Sequence, residues 1–272
     1  MPPDCVRDIR TVLAGAPGKV DTFRALAAGV PYERRGILFA EAFFVYACLA
    51  DAVPPRIIES GRARGQSTLM LGRCFPGSRV VSIEYERDSK DAHFAEKRLA
   101  GLANVELMYG DARVLIPELL DHGDVVVIDG PKEHRALMLA YTVLATGRCP
   151  TVFLHDCYAG SPVRALIEAS YPAAFFSDHP EFVRAYGCLD EQRRAGRSGT
   201  ESDEWRPHWF LGGRQTSWGP TFACLPFLES FGYGTARVRV RFARMVRQLR
   251  RSAEKRVGRA RAFGTAGGGH LP

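Results

Sequence analysis

Between Arg56 and Asp156 the chain alternates between two kinds of segment. "RIIES", "RVVSIEY", "VELMYG", "DVVVIDG" and "TVFLHD" are short runs rich in valine and isoleucine, bounded by Gly, Pro, Asp or Asn, the pattern of buried strands. Between them "STLMLGRCF", "KDAHFAEKRLAGL", "VLIPELL" and "HRALMLAYTVLATG" repeat apolar residues at spacings of three and four, as helices packed on a sheet do. Continuous apolar strands joined by helical crossovers predict an α/β fold, a doubly wound and mostly parallel sheet covered on both faces. There is no internal repeat at solenoid or propeller period.

The flanks read differently. The opening stretch to about Pro31 is mixed and loosely helical, and "FAEAFFVYACLADAV" from Phe39 predicts a buried helix leading into the first strand. "GPTFACLPF" predicts a final strand, and Gln192 to Glu204 a polar, exposed loop. Arg237 to Ala262 predicts a basic helix ending in a flexible "GTAGGGHLP". The expected organisation is an N-terminal helical segment (1–54), an α/β domain (55–230) and a basic helical tail (231–272).

Composition narrows the class. With 46% hydrophobic and 25% charged residues, the 272-residue chain has the make-up of a soluble globular protein with room for one large domain. The longest apolar stretch, Phe39 to Val53, is broken by Glu41 and Asp51 and is too short to span a bilayer. "MPPDCVRDIR" carries acids and prolines where a secretory signal needs a basic start and an apolar run, so the expected location is cytoplasmic. Seven scattered cysteines, none in C-x-x-C spacing, argue against a disulfide framework and a thiolate zinc site, and most are expected to be reduced and buried. The net charge of +7 comes from one place: between Arg237 and Arg261, ten arginines and one lysine stand against one acid, so the rest of the chain is slightly acidic.

In open α/β sheets, ligands bind beyond the carboxyl ends of the strands. The first strand runs into Glu59, Ser60, Gly61, Arg62, Ala63, Arg64 and Gly65, just before a helix starting near Ser67. A glycine turn there lets backbone N–H groups approach a ligand, and the helix N-terminus favours a negative group. The second strand ends at Glu84, a carboxylate placed to accept from both hydroxyls of a ribose, with Tyr85 beside it for a base. The third ends at Gly110, Asp111 and Ala112, where Asp111 could accept from an exocyclic amino group. The G-x-G-x-x-G spacing of dinucleotide oxidoreductases is absent.

From Pro55 to Ala159 this series resembles the class I S-adenosylmethionine-dependent methyltransferases. "IIESGRARGQST" is similar to their first motif, Glu84 to their ribose-binding acid and "GDA" at Gly110 to their adenine-contacting segment; Ala63 replaces the middle glycine of the usual loop. The resemblance implies S-adenosylmethionine held by Glu59, Gly61, Gly65, Ser67, Glu84, Tyr85, Asp111 and Ala112.

The fourth and fifth strands carry the reaction-specific residues. "IDGPK" sets Lys132 three residues after Asp129, and "FLHDCY" puts His155 and Asp156 at the end of the next strand. Neighbouring parallel strands would bring Asp129 and Asp156 within a few ångströms, where two carboxylates repel unless a cation or proton lies between them. This resembles the metal-dependent O-methyltransferases of the catechol and caffeoyl-coenzyme A type, which implies Lys132 as general base and a divalent metal on Asp129 and Asp156. Cys157 stands where that family has an amide, and His155 would shift the choice from magnesium towards a transition metal. "VVVIDGPK" and "TVFLHD" also resemble the plant glucuronoxylan methyltransferases, which modify sugar hydroxyls. The implied acceptor is an oxygen of a small molecule or saccharide, with Trp205, His208, Trp209 and Trp218 available to line its pocket. Nothing around Cys157 marks it as an activated nucleophile. The basic helix admits an anionic partner, RNA or a membrane surface. Two rival readings follow, a nucleic-acid methyltransferase recruited by the tail and a non-catalytic cofactor-fold binding module.

Overall fold

The computed structural model describes residues 8–31, 33, 36–190 and 221–265. Side-chain alternation explains why the sheet is buried on both faces. Along β1 (Arg56–Ser60), Ile57 enters one apolar layer and Ile58 the other. Along β4 (Val125–Ile128), Val125 and Val127 face the first layer, Val126 and Ile128 the second. In β5 (Thr151–Leu154), Phe153 opposes Val152 and Leu154 in the same way. Strands apolar at successive positions need cover on both sides, and the crossover helices supply it.

With β2 (Arg79–Glu84), β3 (Val105–Tyr109), β6 (Phe175–Phe176) and β7 (Ala223–Pro226), the sheet has the order β3-β2-β1-β4-β5-β7-β6. Strands β1 to β5 are parallel, as the pattern predicts. The predicted last strand is β7, and it runs antiparallel to both β5 and β6. Strand β6 has no counterpart in the sequence reading, because two residues are too few to show a period. The chain winds outward from β1 to β3 and then returns to β4, so strand order reverses between β1 and β4. A crevice beyond their carboxyl ends is the position where such sheets bind ligands.

Helices α1 (Ile9–Gly15), α2 (Val20–Ala27), α3 (Phe39–Leu49), α4 (Gln66–Cys74), α5 (Lys90–Leu99) and α9 (Pro180–Tyr186) contribute to the first layer. Helices α6 (Ala112–Leu119), α7 (His134–Leu144), α8 (Pro162–Ser170) and α10 (Tyr233–Thr265) contribute to the second. The N-terminal helices therefore share a core with the sheet. From Glu41 to Leu49 every residue of α3 is buried, which is what a helix apolar all round requires. The basic helix starts four residues before the predicted Arg237, and its first turns are not a free tail: Tyr233, Ala236 and Val240 are buried in the second layer, where α10 packs on α7. Farther along, Arg247 pairs with Glu133 at 2.8 Å.

Helix starts follow local chemistry. Ser89 caps α5 by accepting from Ala92 N–H at 3.1 Å, and Ser161 caps α8 in the same way from Arg164 N–H, with Pro162 in the first turn. The predicted loop at Gln192–Glu204, together with Trp205, His208, Trp209, Trp218 and the glycine-rich end after Thr265, lies outside the described residues. Among the described residues no helix is long and apolar enough to cross a membrane.

Candidate active site

The two sides of the crevice differ in what they are built from. On the β1 side the turn Gly61–Gly65 is held by backbone groups. Gly61 has φ +86 and Gly65 has φ +78, a conformation open to glycine without a Cβ penalty. A Cβ on Gly61 would lie 2.5 Å from the Gly130 nitrogen, so the ends of β1 and β4 approach as closely as they do only because residue 61 is glycine. Ala63 also takes a positive φ, +45, where glycine would carry no strain. Its N–H donates to Glu84 Oε2 at 2.7 Å, while Tyr85 N–H donates to Oε1 at 2.8 Å. The acid at the end of β2 thus grips the glycine turn.

Glu59 stands behind the turn. It is sealed from solvent and accepts from the hydroxyls of Thr68 and Ser82, with Ser67 beside it; burial raises its carboxyl above the usual range. Its part is to tie β1 to α4 and β2. The two loop arginines turn away from one another. Arg62 is buried, donating to the Ser82 carbonyl with its guanidinium 4.9 Å from the centre of the Tyr109 ring. Arg64 pairs with Glu33 at 3.1 Å and lies over Phe94 at 3.8 Å.

Gly110 N–H donates to the Glu84 carbonyl at 2.9 Å, which sets Asp111 and Ala112 next to the end of β2. Asp111 caps α6 and binds the Arg113 guanidinium, whose hydrogen bonds hold its carboxyl below the ordinary range. Tyr85 is 70% exposed, a ring free to meet a ligand base.

Across the crevice the ends of β4 and β5 carry charge. Asp129, Lys132, His155 and Asp156 are brought together as their positions predict. Lys132 Nζ donates to Asp129 Oδ1 and lies 2.8 Å from Asp156 Oδ2. His155 Nδ1 lies 2.7 Å from Asp129 Oδ1 and 3.5 Å from Asp156 Oδ1. Asp156 takes φ +60, a left-handed conformation that Asp visits more readily than most residues. The His155 ring also lies 4.7 Å from that of Phe222.

Burial disfavours the charges of Asp129, Lys132 and His155, and pairing decides the outcome. For Asp129 the fields of His155 and Lys132 outweigh burial and hold the carboxyl well below its usual range. For Lys132, burial is outweighed by Asp129 and Asp156, and its ammonium is favoured. For His155, burial is outweighed by Asp129 and then Glu41, and the imidazolium form is strongly favoured.

Glu41 went unrecognised in the sequence as a site residue. It sits on α3, 3% exposed, with Oε2 accepting from Leu38 N–H at 2.8 Å and Oε1 3.5 Å from His155 Nε2. Burial raises its carboxyl. The signal for it was present: an acid inside an otherwise unbroken apolar helix needs a buried partner. Asp190 fixes that helix in turn, accepting from the N–H groups of Phe39 at 2.7 Å and Ala40 at 3.1 Å.

This geometry bears on the metal that the resemblance implies. One ligand atom each from Asp129, His155 and Asp156 lie within 4.8 Å of one another. In the arrangement seen, both ring nitrogens of His155 face carboxylates, and the cation between the two aspartates is the Lys132 ammonium. A divalent ion on these three residues would have to displace the Lys132 ammonium and the His155 proton. Cys157 is buried and its thiol is pushed far above the usual range by burial, so it is no nucleophile at neutral pH.

No protein-family model and no curated protein matches the chain. Among solved structures it is similar to the O-methyltransferase TomG from Streptomyces achromogenes involved in tomaymycin synthesis, in complex with SAM, at 21% identity over 80% of this chain and 90% of that one, with a TM-score of 0.42. It is similar also to cofactor-bound Rv0187 from MTB, at 22% identity over 77% and 89%, with a TM-score of 0.43. A third similar structure is an rRNA methylase from Streptococcus thermophilus, at 13% identity over 70% and 97%, with a TM-score of 0.42. At this level of likeness the reading of the site rests on its own geometry.

Proposed function

We propose that the chain is an S-adenosylmethionine-dependent methyltransferase acting on an oxygen of a small molecule or saccharide. The observation that carries this reading is the meeting, at one point of strand reversal, of a ribose-type carboxylate on a glycine turn with a lysine held between two aspartates. Each oxygen of Glu84 accepts one backbone N–H and keeps a lone pair for a ribose hydroxyl, so the residues present fit the nucleoside. S-adenosylmethionine supplies an electrophilic methyl group, and the electron pair of the broken S–C bond returns to sulfur as the thioether leaves.

The chain's own groups do the rest. Gly61 and Gly65 let the turn backbone approach the cofactor, and Tyr85, Asp111 and Ala112 bound the base. Lys132, in its neutral form, takes the acceptor hydroxyl proton, and the oxyanion attacks the methyl carbon in line. Asp129 and Asp156 fix Lys132 Nζ in place, and His155 neutralises Asp129. Much of the acceleration is orientation of two bound reactants. We place the protein in the cytoplasm, in keeping with cysteines that are unpaired throughout the described residues.

Calorimetric titration with S-adenosylmethionine and S-adenosylhomocysteine tests the reading. Micromolar-range binding is expected, weakened roughly 10- to 100-fold in Glu84→Ala by loss of hydrogen bonds to a charged group. A wild-type protein that binds neither compound would sink it.

A further inference from the structure

The exposed side of α10 is not merely basic. Val238 and Leu249 are 63% exposed, Phe242 62% and Met245 49%. Their spacings of four, three and four place them in one stripe along three turns of helix, on the side opposite Tyr233, Ala236 and Val240, which are buried against the body. Exposed arginines flank the stripe, Arg241 on one side and Arg239 on the other. A row of large apolar residues bordered by cations on an exposed helix calls for an occupant both apolar and anionic.

We propose that this face of α10 lies on an anionic membrane surface, with Val238, Phe242, Met245 and Leu249 in the acyl boundary and the flanking arginines on lipid phosphates. Charge selects this occupant. From Tyr233 to Leu249 the helix holds five arginines and no acid, and the sequence from Arg250 to Arg261 adds five arginines and a lysine against Glu254. The same spacing would suit a coiled coil, but a second copy of this helix would set arginine against arginine along the seam, with no acid to pair them. Phosphates of RNA would satisfy the arginines and leave the apolar row in water. A lipid surface satisfies both, and a helix of this kind lies in the interface without crossing it.

The test is cosedimentation of the full chain with vesicles of phosphatidylcholine alone and of phosphatidylcholine mixed with phosphatidylglycerol. Three proteins are compared: wild type, Phe242→Ser/Leu249→Ser and Arg239→Glu/Arg241→Glu. All four side chains changed are exposed, so thermal unfolding should match wild type and certify the fold. Wild type should bind the anionic vesicles and lose binding as salt rises. Each double variant should bind them at least about tenfold more weakly. Three results would overturn the proposal: wild type indifferent to anionic vesicles; the arginine variant weakened while the serine variant binds as wild type, the mark of a purely ionic attachment such as RNA; or a concentration-dependent dimer, measured by ultracentrifugation, that the serine variant abolishes.

Discussion

The two sides of the strand-reversal crevice solve the same problem, presenting polar groups at a sheet edge, by opposite means. On the β1–β3 side the polar work is done by backbone N–H groups and by carboxylates, Glu84 and Asp111, each engaged by residues close by on the same edge. On the β4–β5 side the charges are neutralised by one another, and the last member, Glu41, arrives from a helix that precedes the sheet. The first side is open and adjustable, suited to a ligand with many hydroxyl and amino groups. The second is a lattice of paired charges, suited to holding the Lys132 amine in place. Binding and chemistry should therefore be separable by mutation.

The largest separation is expected from Lys132→Met. Turnover should fall about 10²- to 10⁴-fold, the usual contribution of a positioned base, while S-adenosylmethionine affinity stays within error of wild type. Steady-state kinetics beside calorimetry measure this, and equal losses in both would erase the distinction between the two sides. Gly61→Ala strikes where the sides touch. The new Cβ meets the Gly130 backbone and residue 61 is held at positive φ, so stability should drop by roughly 1–3 kcal/mol in denaturant unfolding, with cofactor binding and turnover impaired together.

A smaller effect is expected in the pH profile. Lys132 acts as a base only when neutral, and its ammonium is favoured by Asp129 and Asp156, so turnover should climb as pH rises towards its raised value. Asp156→Asn removes one of those carboxylates and should move the ascending limb to lower pH. An unmoved limb would take Lys132 out of the base role. Smallest of all is the change with pH in the stability difference between wild type and His155→Gln. The depressed Asp129 contributes fully above its unfolded value of about 4, and that contribution is lost as pH falls further. The raised His155 contributes fully below about 6.5, and that contribution is lost as pH climbs through its folded value. The difference should be greatest between about 4 and 6.5, and a curve flat across that range would show the pair to be energetically idle.

The five parallel strands were legible because each is apolar at successive positions and stops at a turn residue. Strand β6 was not, being two residues long, and the antiparallel course of β7 was not, because its apolar run reads the same in either direction. Within the site, Asp129, Lys132, His155 and Asp156 could be placed from strand ends alone, since parallel register puts neighbouring ends side by side. Their charge states could not. The same residues that read as metal ligands form a lattice with the Lys132 ammonium and the His155 imidazolium as its cations, and the imidazolium depends in part on Glu41, which lies far away in the chain. Glu59 illustrates the reverse: its position at a strand end suggested contact with the cofactor, while its burial makes it the anchor of the turn.

Glu41 also constrains the order in which the molecule can be assembled. A ribosome delivers α3 long before β5, yet a carboxylate shut away without its imidazole partner is costly. Until His155 arrives, α3 carries its own deterrent against burial in the wrong place, and it gives that up only when the strand that completes the site is in position.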